Sequence, residues 1–428
     1  MLDIVYIRQN KDLVKAGIAK KQMDSSLVDE VLRLDEMRRE ILVKLQEKQS
    51  KQNKLSDDIA KEHGGKKIEL INEAGPLAEE IKNLKPELEK VEEDYFNVLL
   101  QIPNIPNKDV PEGKDDKDNV ELRVEGKKPE FKFKPKSHEE LMEHLDLVDF
   151  NQAAKVSGSK FYYLKGEAVI LEMAILRYAL DKLINKGFTP MMPPDLVRYE
   201  AMVGAGHFPP EDDAYKIPAD KLYLAGTGEV GLVNYHAGQA LSEEQLPKRY
   251  AGYSACFRRE AGAHGKKGSG LYRIHQFHKI EMVCFVRPED SAKEHELLQS
   301  ISEEMLQELG LFYRVVLNCG GDLGMPQAKK WDIECYIPSD DSFGETHSCS
   351  NDTDYQARRL NIKIKRSHKG ETETAKEAKY VHTLNNTAFA SPRILIPLIE
   401  QNQNKDGSIS IPKVLHKYTG FKEIRLAE

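Results

Sequence analysis

The chain has 428 residues, of which 40% are hydrophobic and 31% charged, and its formal net charge is −7. This length predicts two domains, and the composition is typical of a globular protein with a sizeable core. The sequence has no run of about 18 or more apolar residues, which excludes a transmembrane helix. The acidic balance disfavours a nucleic-acid partner for the chain as a whole, although phosphate binding needs only a local basic surface.

The N-terminus and the cysteines indicate the cellular compartment. Residues 1–8 lack a basic region followed by an apolar run, so we expect no secretory signal. The cysteines are odd in number and form no C-x-x-C pair, so we expect no structural disulfides and a cytoplasmic location. They are Cys256, Cys284, Cys319, Cys335 and Cys349.

Residues 27–99 carry two runs of hydrophobic residues at alternating spacings of four and three. Between the runs, 62–67 contains two adjacent glycines, which predicts a turn and therefore an antiparallel coiled coil. An arm of roughly 35 residues per helix would be about 50 Å long. The hydrophobic positions are Leu27, Val31, Leu34, Ile41, Leu45, Leu55 and Ile59 in the first helix and Leu77, Ile81, Leu84, Leu88, Val91 and Tyr95 in the second.

The lysines of this arm have two interpretations. They either form the solvated face of a coiled coil used for dimerisation or spacing, or they follow the phosphate backbone of a nucleic acid. From the arm alone, the first interpretation is preferred. Pro86 falls inside the second helix, where a proline removes a backbone hydrogen bond, so we expect a local bend there. The lysines are Lys44, Lys48, Lys51, Lys54, Lys61, Lys66 and Lys67.

A proline-rich and charged stretch at 102–137 marks a domain boundary. After it, segments of strand composition alternate with helical segments, which predicts an α+β domain. We expect an N-terminal helical arm domain at 1–103, a linker at 104–137 and the α+β domain at 138–428.

The segment 256–281 has the residues best suited to chemistry. A strand runs into a loop with four glycines, and a second strand returns. Because side chains alternate along a strand, Arg273, Phe277 and Glu281 fall on one face of the returning strand. A cation, an aromatic ring and a carboxylate on one surface can hold a phosphate, stack on a base and bind an ammonium group. For these three positions alone, an ordinary hairpin with a polar outer face is the alternative.

With these residues, the sequence resembles the seryl-tRNA synthetase family of the class II aminoacyl-tRNA synthetases. The segment 256–281 is similar to the second signature motif of that class in its seryl form, and the likeness covers nearly the whole chain. The N-terminal arm occupies the place of the family's tRNA-binding coiled coil. Other similar segments are 145–150, 154–164, 187–194 (the first motif, usually a dimer interface), 345–351, 354–361, and 381–388 with Arg393 (the third motif).

The resemblance implies an α+β fold, with the coiled-coil arm followed by a class II catalytic domain built on an antiparallel sheet with flanking helices. It implies a homodimeric ligase that activates serine with ATP, releasing pyrophosphate, and transfers serine to the 3′ end of tRNA(Ser). tRNA(Sec) is a further possible acceptor. Magnesium is implied as the metal, and zinc is not.

The resemblance also assigns roles to the residues that match the family's motifs. Arg258 would hold the α-phosphate and the serine carboxylate, while Phe277 and Arg393 would lie on the two faces of adenine. The implied ATP-binding residues are Arg258, Arg259, Glu260, Arg273, Phe277, Glu345, Thr346, His347, Ser348 and Arg393. The implied serine-binding residues are Thr227, Gly228, Glu229, Arg258, Glu281, Asn385 and Thr387. Glu345 and Ser348 would bind magnesium, and the implied catalytic residues are Arg258, Arg393 and Glu345.

These residue types suit attack of a serine carboxylate oxygen on the α-phosphorus of ATP. Arginines and magnesium neutralise the negative charge, and no general base is needed because the carboxylate is already ionised. Alanine would leave the polar groups that face the serine hydroxyl unpaired, which favours serine. Which carboxylate takes the ammonium group and which the hydroxyl stays open.

Three positions depart from the family's usual residues. Gly228 stands where alanine or serine is commoner, and Gly344 stands where arginine is usual, which removes a cation near the metal-binding carboxylate. Residues 386–388 read Asn-Thr-Ala in place of the common Gly-Ser-Gly, and Thr387 keeps the hydroxyl.

The histidines and two cysteines of the catalytic half are not expected to bind a metal or to act as nucleophiles. The spacing of His264, His275, His278 and His347 matches no zinc site. Cys256 and Cys349 are expected in the core or the pocket wall.

Two rival functions are compatible with parts of the sequence. One is a paralogue that activates an amino acid but loads a carrier protein, and such relatives commonly lack the arm. The other is a non-catalytic binding protein, against which the intact Arg258 and Glu345 argue.

Overall fold

The computed structural model describes residues 1–261, 270–365 and 379–426. The chain forms two compact units, Met1–Pro103 and Asn104–Glu428. Over the described ranges, no helix has the length and apolar character needed to cross a membrane.

The first unit is helical, and its two long helices are those expected from the heptads. α4 begins at Gly65, so the turn between the long helices is shorter than the expected 62–67. Gly64, which precedes α4, has a φ of +66°, a conformation that glycine adopts without strain. The helices are α1 (Ile4–Gln9), α2 (Lys11–Lys20), α3 (Leu27–Lys61) and α4 (Gly65–Gln101).

The helices α3 and α4 pack antiparallel, as the heptads predict. Arg38 of α3 pairs with Glu92 of α4 at 3.0 Å, and Lys48, further along α3, pairs with Glu80, which lies earlier in α4. Pro86 lies inside α4, and the helix continues past it; the local bend stays a prediction. The apolar seam between the helices consists of Ile41, Leu45, Ile81, Leu88 and Val91.

The second unit mixes helices and strands, which confirms the predicted α+β class. Its helices are α5 (His138–His144), α6 (Phe150–Ser157), α7 (Glu167–Asn185), α8 (Tyr199–Ala205), α9 (Glu229–Asn234), α10 (Ser291–Glu308), α11 (Tyr355–Leu360), α12 (Leu395–Gln401) and α13 (His416–Thr419). Its strands are β1 (Val120–Glu125), β2 (Val148–Asp149), β3 (Tyr163–Leu164), β4 (Thr189–Met191), β5 (Leu196–Arg198), β6 (Tyr215–Ile217), β7 (Leu222–Leu224), β8 (Ala240–Ser242), β9 (Lys248–Phe257), β10 (Gln276–Val286), β11 (Tyr313–Leu317), β12 (Lys329–Ile337), β13 (Ser342–Thr353), β14 (Lys363–Lys365), β15 (His382–Ser391), β16 (Ile409–Ser410) and β17 (Glu423–Ile424).

A large sheet forms the centre of the second unit. Counted over the described residues it has eight strands, in the order β1-β11-β12-β13-β15-β10-β9-β4. Neighbouring strands pair antiparallel except β4, which is parallel to β9. This topology confirms the expected antiparallel sheet with flanking helices.

The interval 104–137, expected as a linker, contributes a strand to this sheet. β1 pairs with β11 at the sheet's edge, and five of its six residues are exposed. The Nδ2 of Asn104 donates to the carbonyls of Pro326 and Asp352, at 2.8 Å each. β1 buries neither face, although its sequence, Val-Glu-Leu-Arg-Val-Glu, alternates apolar and polar residues as a strand does.

The two faces of β10 have different surroundings. Ile280, Met282 and Cys284 belong to the main core, which α7 and α10 cover. On the opposite face, Val283 and Phe285 pack in a second apolar cluster with residues of α8, α9 and α11. The same face continues towards the start of the strand with polar residues, and there it forms the floor of a cleft.

Candidate active site

The cleft lies over the central strands β10, β13 and β15 and has a cavity volume of about 210 Å³. A concave site where a few polar groups converge is typical of small-molecule binding. Most of the residues implied by the resemblance line it: Thr227, Glu229, Arg258, Glu260, Phe277, Glu281, Glu345, Thr346, Ser348, Asn385, Thr387 and Arg393. These residues are far apart in the sequence, and strand pairing brings them to one surface.

Arg258 and Phe277 form one wall of the cleft. The guanidinium of Arg258, which directly follows β9, lies 5.4 Å from the centre of the Phe277 ring. Its Nε donates to the carbonyl of Gly226 at 3.1 Å. This hydrogen bond uses one edge of the guanidinium, which leaves the Nη groups as the donors for an anion in the cleft.

Arg393 and Glu345 form a second charged group. The Nη1 of Arg393 lies 3.8 Å from Oε1 of Glu345, and its guanidinium lies 4.8 Å from the centre of the Tyr272 ring. The hydroxyl of Tyr272 donates to the backbone carbonyl of Glu345 at 3.5 Å. Tyr272 therefore touches both charged residues at this end of the cleft.

Glu229 is a buried acceptor at the other end of the cleft. Its Oε1 accepts from Nε2 of Gln356 at 2.6 Å and from Nδ2 of Asn385 at 3.1 Å, and its Oε2 lies 3.7 Å from Nε2 of His207. Burial acts to raise the pKa of this carboxyl, but the hydrogen bonds from His207 and Gln356, together with the charges of His207 and Lys279, outweigh it and hold the pKa below its usual value.

Glu281 is a second buried carboxyl nearby, and its side chain pairs with the ammonium of Lys279. Burial raises the pKa of Glu281 above its usual value, although the charge and hydrogen bond of Lys279 act against this rise. The charge of Glu229 adds to it. The two carboxyls therefore differ, and Glu229 is the more firmly ionised of the two.

His347 does not reach the cleft. It is buried in the layer beneath, where its ring lies 5.5 Å from that of the core residue Phe389 and burial lowers its pKa to about 3. A register shift on β13, where Ile333 pairs with His347 but Glu334 with Glu345, leaves Thr346 as an extra residue. This bulge brings both Glu345 and Thr346 to the cleft, while His347 points away.

Three further predicted residues are not part of the lining. Arg273 lies behind Glu260 and donates to its carboxylate at 2.9 Å. Arg259 donates from Nη1 to the carbonyl of Asp212 at 3.3 Å. A Cβ at Gly228 would lie 2.7 Å from Oγ of Ser254, so the commoner alanine or serine would require Ser254 to move.

Gly344 also has a neighbour that occupies its side-chain space. A Cβ there would lie 2.8 Å from Cδ1 of Ile337 and 3.1 Å from Cε2 of Tyr272. Where the usual arginine would add a cation near Glu345, the ring of Tyr272 lies beside Gly344 and packs against Arg393. The position of this ring could not be recognised from Gly344 alone.

Several lining residues were not predicted, among them His207, Tyr272, Lys279, Gln327 and Ser350. Lys279 could have been predicted from the sequence, because the alternation that placed Phe277 and Glu281 on one face of the strand also places Lys279 there. His207 and Gln327 lie outside regular elements and had no such signal.

The histidines considered for zinc have separate partners. His275 hydrogen-bonds to the carbonyl of Arg258 at 2.9 Å, and His278 to the carboxylate of Glu172 at 3.1 Å. His264 lies outside the described residues. Among the residues that the structure does describe, no three His, Cys, Asp or Glu side chains gather in a metal-binding cluster.

The two cysteines of this region are part of the interior. Cys256 and Cys349 are both buried, and burial raises the pKa of both thiols. A thiol with a raised pKa is a poor nucleophile at neutral pH, because the reactive form is the thiolate. These surroundings agree with the expected place in the core or pocket wall.

Two family models match the chain. The seryl-tRNA synthetase N-terminal domain matches residues 1–106, and the tRNA synthetase class II core domain (G, H, P, S and T) matches 215–402. A curated serine–tRNA ligase of Dictyoglomus turgidum is 44% identical over 429 residues, covering 99% of either chain. One of Deinococcus radiodurans is 42% identical over 427 residues, again covering 99% of each.

Solved structures agree with these matches. The seryl-tRNA synthetase of Pyrococcus horikoshii, complexed with ATP, superposes with a TM-score of 0.91 at 42% identity and covers 100% of both chains. The cytoplasmic serine–tRNA ligase of Naegleria fowleri, in complex with AMP, has a TM-score of 0.86 at 32% identity. The superposition includes 100% of this chain and 99% of the Naegleria chain. The chain belongs to the seryl-tRNA synthetase family of the class II aminoacyl-tRNA synthetases.

Proposed function

We propose that the cleft binds ATP and serine side by side and joins them as seryl-adenylate before serine passes to tRNA. The chain is a serine–tRNA ligase, like its relatives over their full length. The observation that supports this use of the cleft is its continuity. The cationic end with Arg258 and Arg393 and the carboxylate end with Glu229 and Glu281 open into one space.

The cationic end suits the nucleotide. Phe277 offers a ring face to adenine, and Glu260 offers a carboxylate to the adenine amino group. Arg258 lies beside Phe277, where its Nη groups can hold both the α-phosphate and the serine carboxylate. Holding the two anions on one guanidinium aligns them for attack and offsets their repulsion.

Magnesium fits the residues at this end. Glu345 and Ser348 offer a carboxylate and a hydroxyl from one strand to the cleft, and magnesium prefers oxygen ligands, one or two from the protein and the rest from phosphates and water. Glu345 and Ser348 would hold the ion, which supplies positive charge to the phosphates of ATP.

The carboxylate end suits serine. Two carboxyls, Asn385 and the hydroxyls of Thr227 and Thr387 can meet the ammonium and hydroxyl groups of the amino acid. Alanine would leave the partners of the hydroxyl unpaired in a buried site, and threonine would add a methyl group.

The arm suits a tRNA backbone. Lys51 and Lys54 are exposed on α3, in a unit that contributes no residue to the lining of the cleft. Cations along a pair of helices can neutralise the phosphates of a nucleic acid. We assign the arm to tRNA(Ser), and to tRNA(Sec) where that acceptor exists.

The measurement that tests the proposed function is exchange of labelled pyrophosphate into ATP. We expect exchange with serine, and much less with alanine or threonine at equal concentration. Subsequent charging of tRNA(Ser) completes the test. Exchange that depends on another amino acid, or adenylate formation without any charging, would contradict the proposal, and the second result would favour the carrier-loading paralogue.

An exposed apolar surface supports a homodimer. α7 buries Leu171 and Ile175 in the core but exposes Met173 (68% accessible), and Met192, just after β4, is 79% accessible. Exposed apolar side chains are typical of an interface when they lie close together, and α7 contacts β4. We assign the interface to the exposed apolar residues of α7 and of the segment that follows it, which are Val169, Ile170, Met173, Ile184, Met192, Leu196 and Tyr199.

The dimer can be tested by light scattering after size exclusion. We expect twice the chain mass of 48.7 kDa for the unaltered protein and a shift towards the single-chain mass for Met173→Asp combined with Met192→Asp. Val43→Asp is the matched control, because Val43 is an exposed apolar residue of the arm. A single-chain mass for the unaltered protein, or no shift in the double variant, would refute this surface as the interface.

The cysteines support a cytoplasmic location. All five are free and buried, as in proteins that fold in a reducing compartment.

A further inference from the structure

A buried lysine lies within the cleft beside a serine-subsite carboxyl. Lys279 is 6% exposed, lies on β10 and lines the cleft. Its ammonium pairs with Glu281, which is 2% exposed and two residues further along the same strand. Isolated buried charges are costly, so each of these groups depends on the other.

Strand pairing explains why the lysine points along the strand. Its neighbours in register are Ser254 on β9 and Ala390 on β15. Both side chains are small, which leaves room above the sheet for the four-carbon stem. Alternation then puts the ammonium on the same face as Glu281.

Two carboxyls and two permanent cations face this part of the cleft. The carboxyls are Glu229 from α9 and Glu281 from β10, and the cations are Arg258 and Lys279. His207 faces Glu229 from the loop after α8. Serine enters as a zwitterion without net charge, so its binding leaves the net charge of this part of the cleft unchanged.

We propose that Lys279 is a positioning residue for serine: it keeps Glu281 ionised in the empty cleft, ready to accept a hydrogen bond from the substrate. The proposal rests on the function assigned above to the cleft. When serine binds, one of its two donor groups, the ammonium or the hydroxyl, joins Lys279 as a partner of Glu281. Lys279 then also offers positive charge to the two anions that meet at Arg258.

The electrostatics of Glu281 agree with this role. Burial raises the pKa of Glu281, and the charge of Glu229 raises it further. Lys279 and, to a smaller extent, Arg258 lower it. Without the lysine, the carboxyl takes up a proton more readily and is then a weaker acceptor for the donor groups of serine.

The test is Lys279→Met, which keeps most of the stem and removes the charge. Serine-dependent pyrophosphate exchange is measured from pH 6.5 to 8.5, with KM determined for serine and for ATP. We expect the KM for serine at pH 7 to rise about tenfold or more, and that for ATP to change by less than about twofold. Because ionisation of Glu281 increases with pH, the raised KM for serine should fall towards higher pH.

Two further variants make the result specific. Lys279→Gln, which keeps a polar group and no charge, should behave like Lys279→Met, and the double variant Lys279→Met with Glu281→Gln should lose the pH trend. Lys182→Met is the matched control, because Lys182 pairs with Glu304 at 2.7 Å outside the cleft.

The outcomes separate this inference from the proposed function. Absence of serine-dependent exchange in the unaltered protein would contradict the function itself. Normal exchange there, with an unchanged KM for serine in both Lys279 variants, would overturn the role of Lys279 alone. An equal rise in both KM values without a pH trend would mean a general structural effect and would overturn it as well.

Discussion

Replacing Arg258 with alanine should lower kcat/KM for serine-dependent exchange by about three orders of magnitude, or about 4 kcal/mol of transition-state stabilisation. Arg258 lies between the nucleotide and serine ends of the cleft, and its Nε is held by the carbonyl of Gly226. Its Nη groups are therefore preorganised to bind both reacting anions. The decrease should fall mainly on kcat, because negative charge redistributes on the phosphate during the step.

Two variants bracket this result. Arg258→Lys keeps a charge but removes the planar pair of donors, so we expect an intermediate decrease. Arg314→Ala is the matched control, since it removes a guanidinium from the same sheet where it pairs with Glu334 at 2.6 Å, away from the cleft. A decrease below about tenfold in Arg258→Ala, or one equal to that of Arg314→Ala, would contradict the role given to Arg258.

Deleting residues 27–99 should preserve adenylate formation and abolish efficient charging of tRNA. All the residues that line the cleft belong to the unit Asn104–Glu428, and the deleted helices belong to the other unit. We expect exchange within about twofold of the intact chain and charging lower by about a hundredfold or more, because the shortened chain can no longer neutralise phosphates with the cations of the arm. Equal charging by both proteins would refute the role of the arm.

A point variant tests the same idea in the full chain. Lys51→Glu with Lys54→Glu reverses two exposed charges of α3 and should weaken charging while exchange stays constant. The dependence of charging on salt should become less steep, by about one unit of log–log slope for each phosphate that is no longer neutralised. Glu47→Gln, a change at an exposed position of the same helix, is the control. An unchanged salt dependence would mean that these lysines belong to a solvated face.

Local patterns were sufficient for the elements with a regular period. The heptads predicted α3 and α4, because an apolar seam must recur once per two turns to stay buried. Alternation placed Phe277 and Glu281 on one face of β10, but it was wrong for Arg273, which precedes this strand because β10 begins at Gln276. By contrast, β1 was assigned to a linker because prolines and charges surround it, although residues 120–125 alternate apolar and polar side chains as a strand does.

Two features of the site could not be predicted from such local patterns. His347 sits inside a segment that resembles the family, but a bulge at Thr346 turns it away from the cleft. From the sequence, Gly344 indicates only that the arginine usual at this position is absent. The ring of Tyr272 lies beside Gly344 because β13 and the segment before β10 converge. Both facts depend on the register between strands, which one strand's sequence does not specify.

The sequence by itself determined the family, the α+β class and most of the residues that line the cleft, because these follow from residue types in characteristic order and spacing. Only the tertiary structure decided which charges meet there. The pairing of Lys279 with Glu281, and the amides and His207 gathered on Glu229, come from strands and helices far apart in the chain. Burial then sets the pKa values of the two carboxyls apart, since desolvation and neighbouring charge depend on position in space and not on order in the sequence.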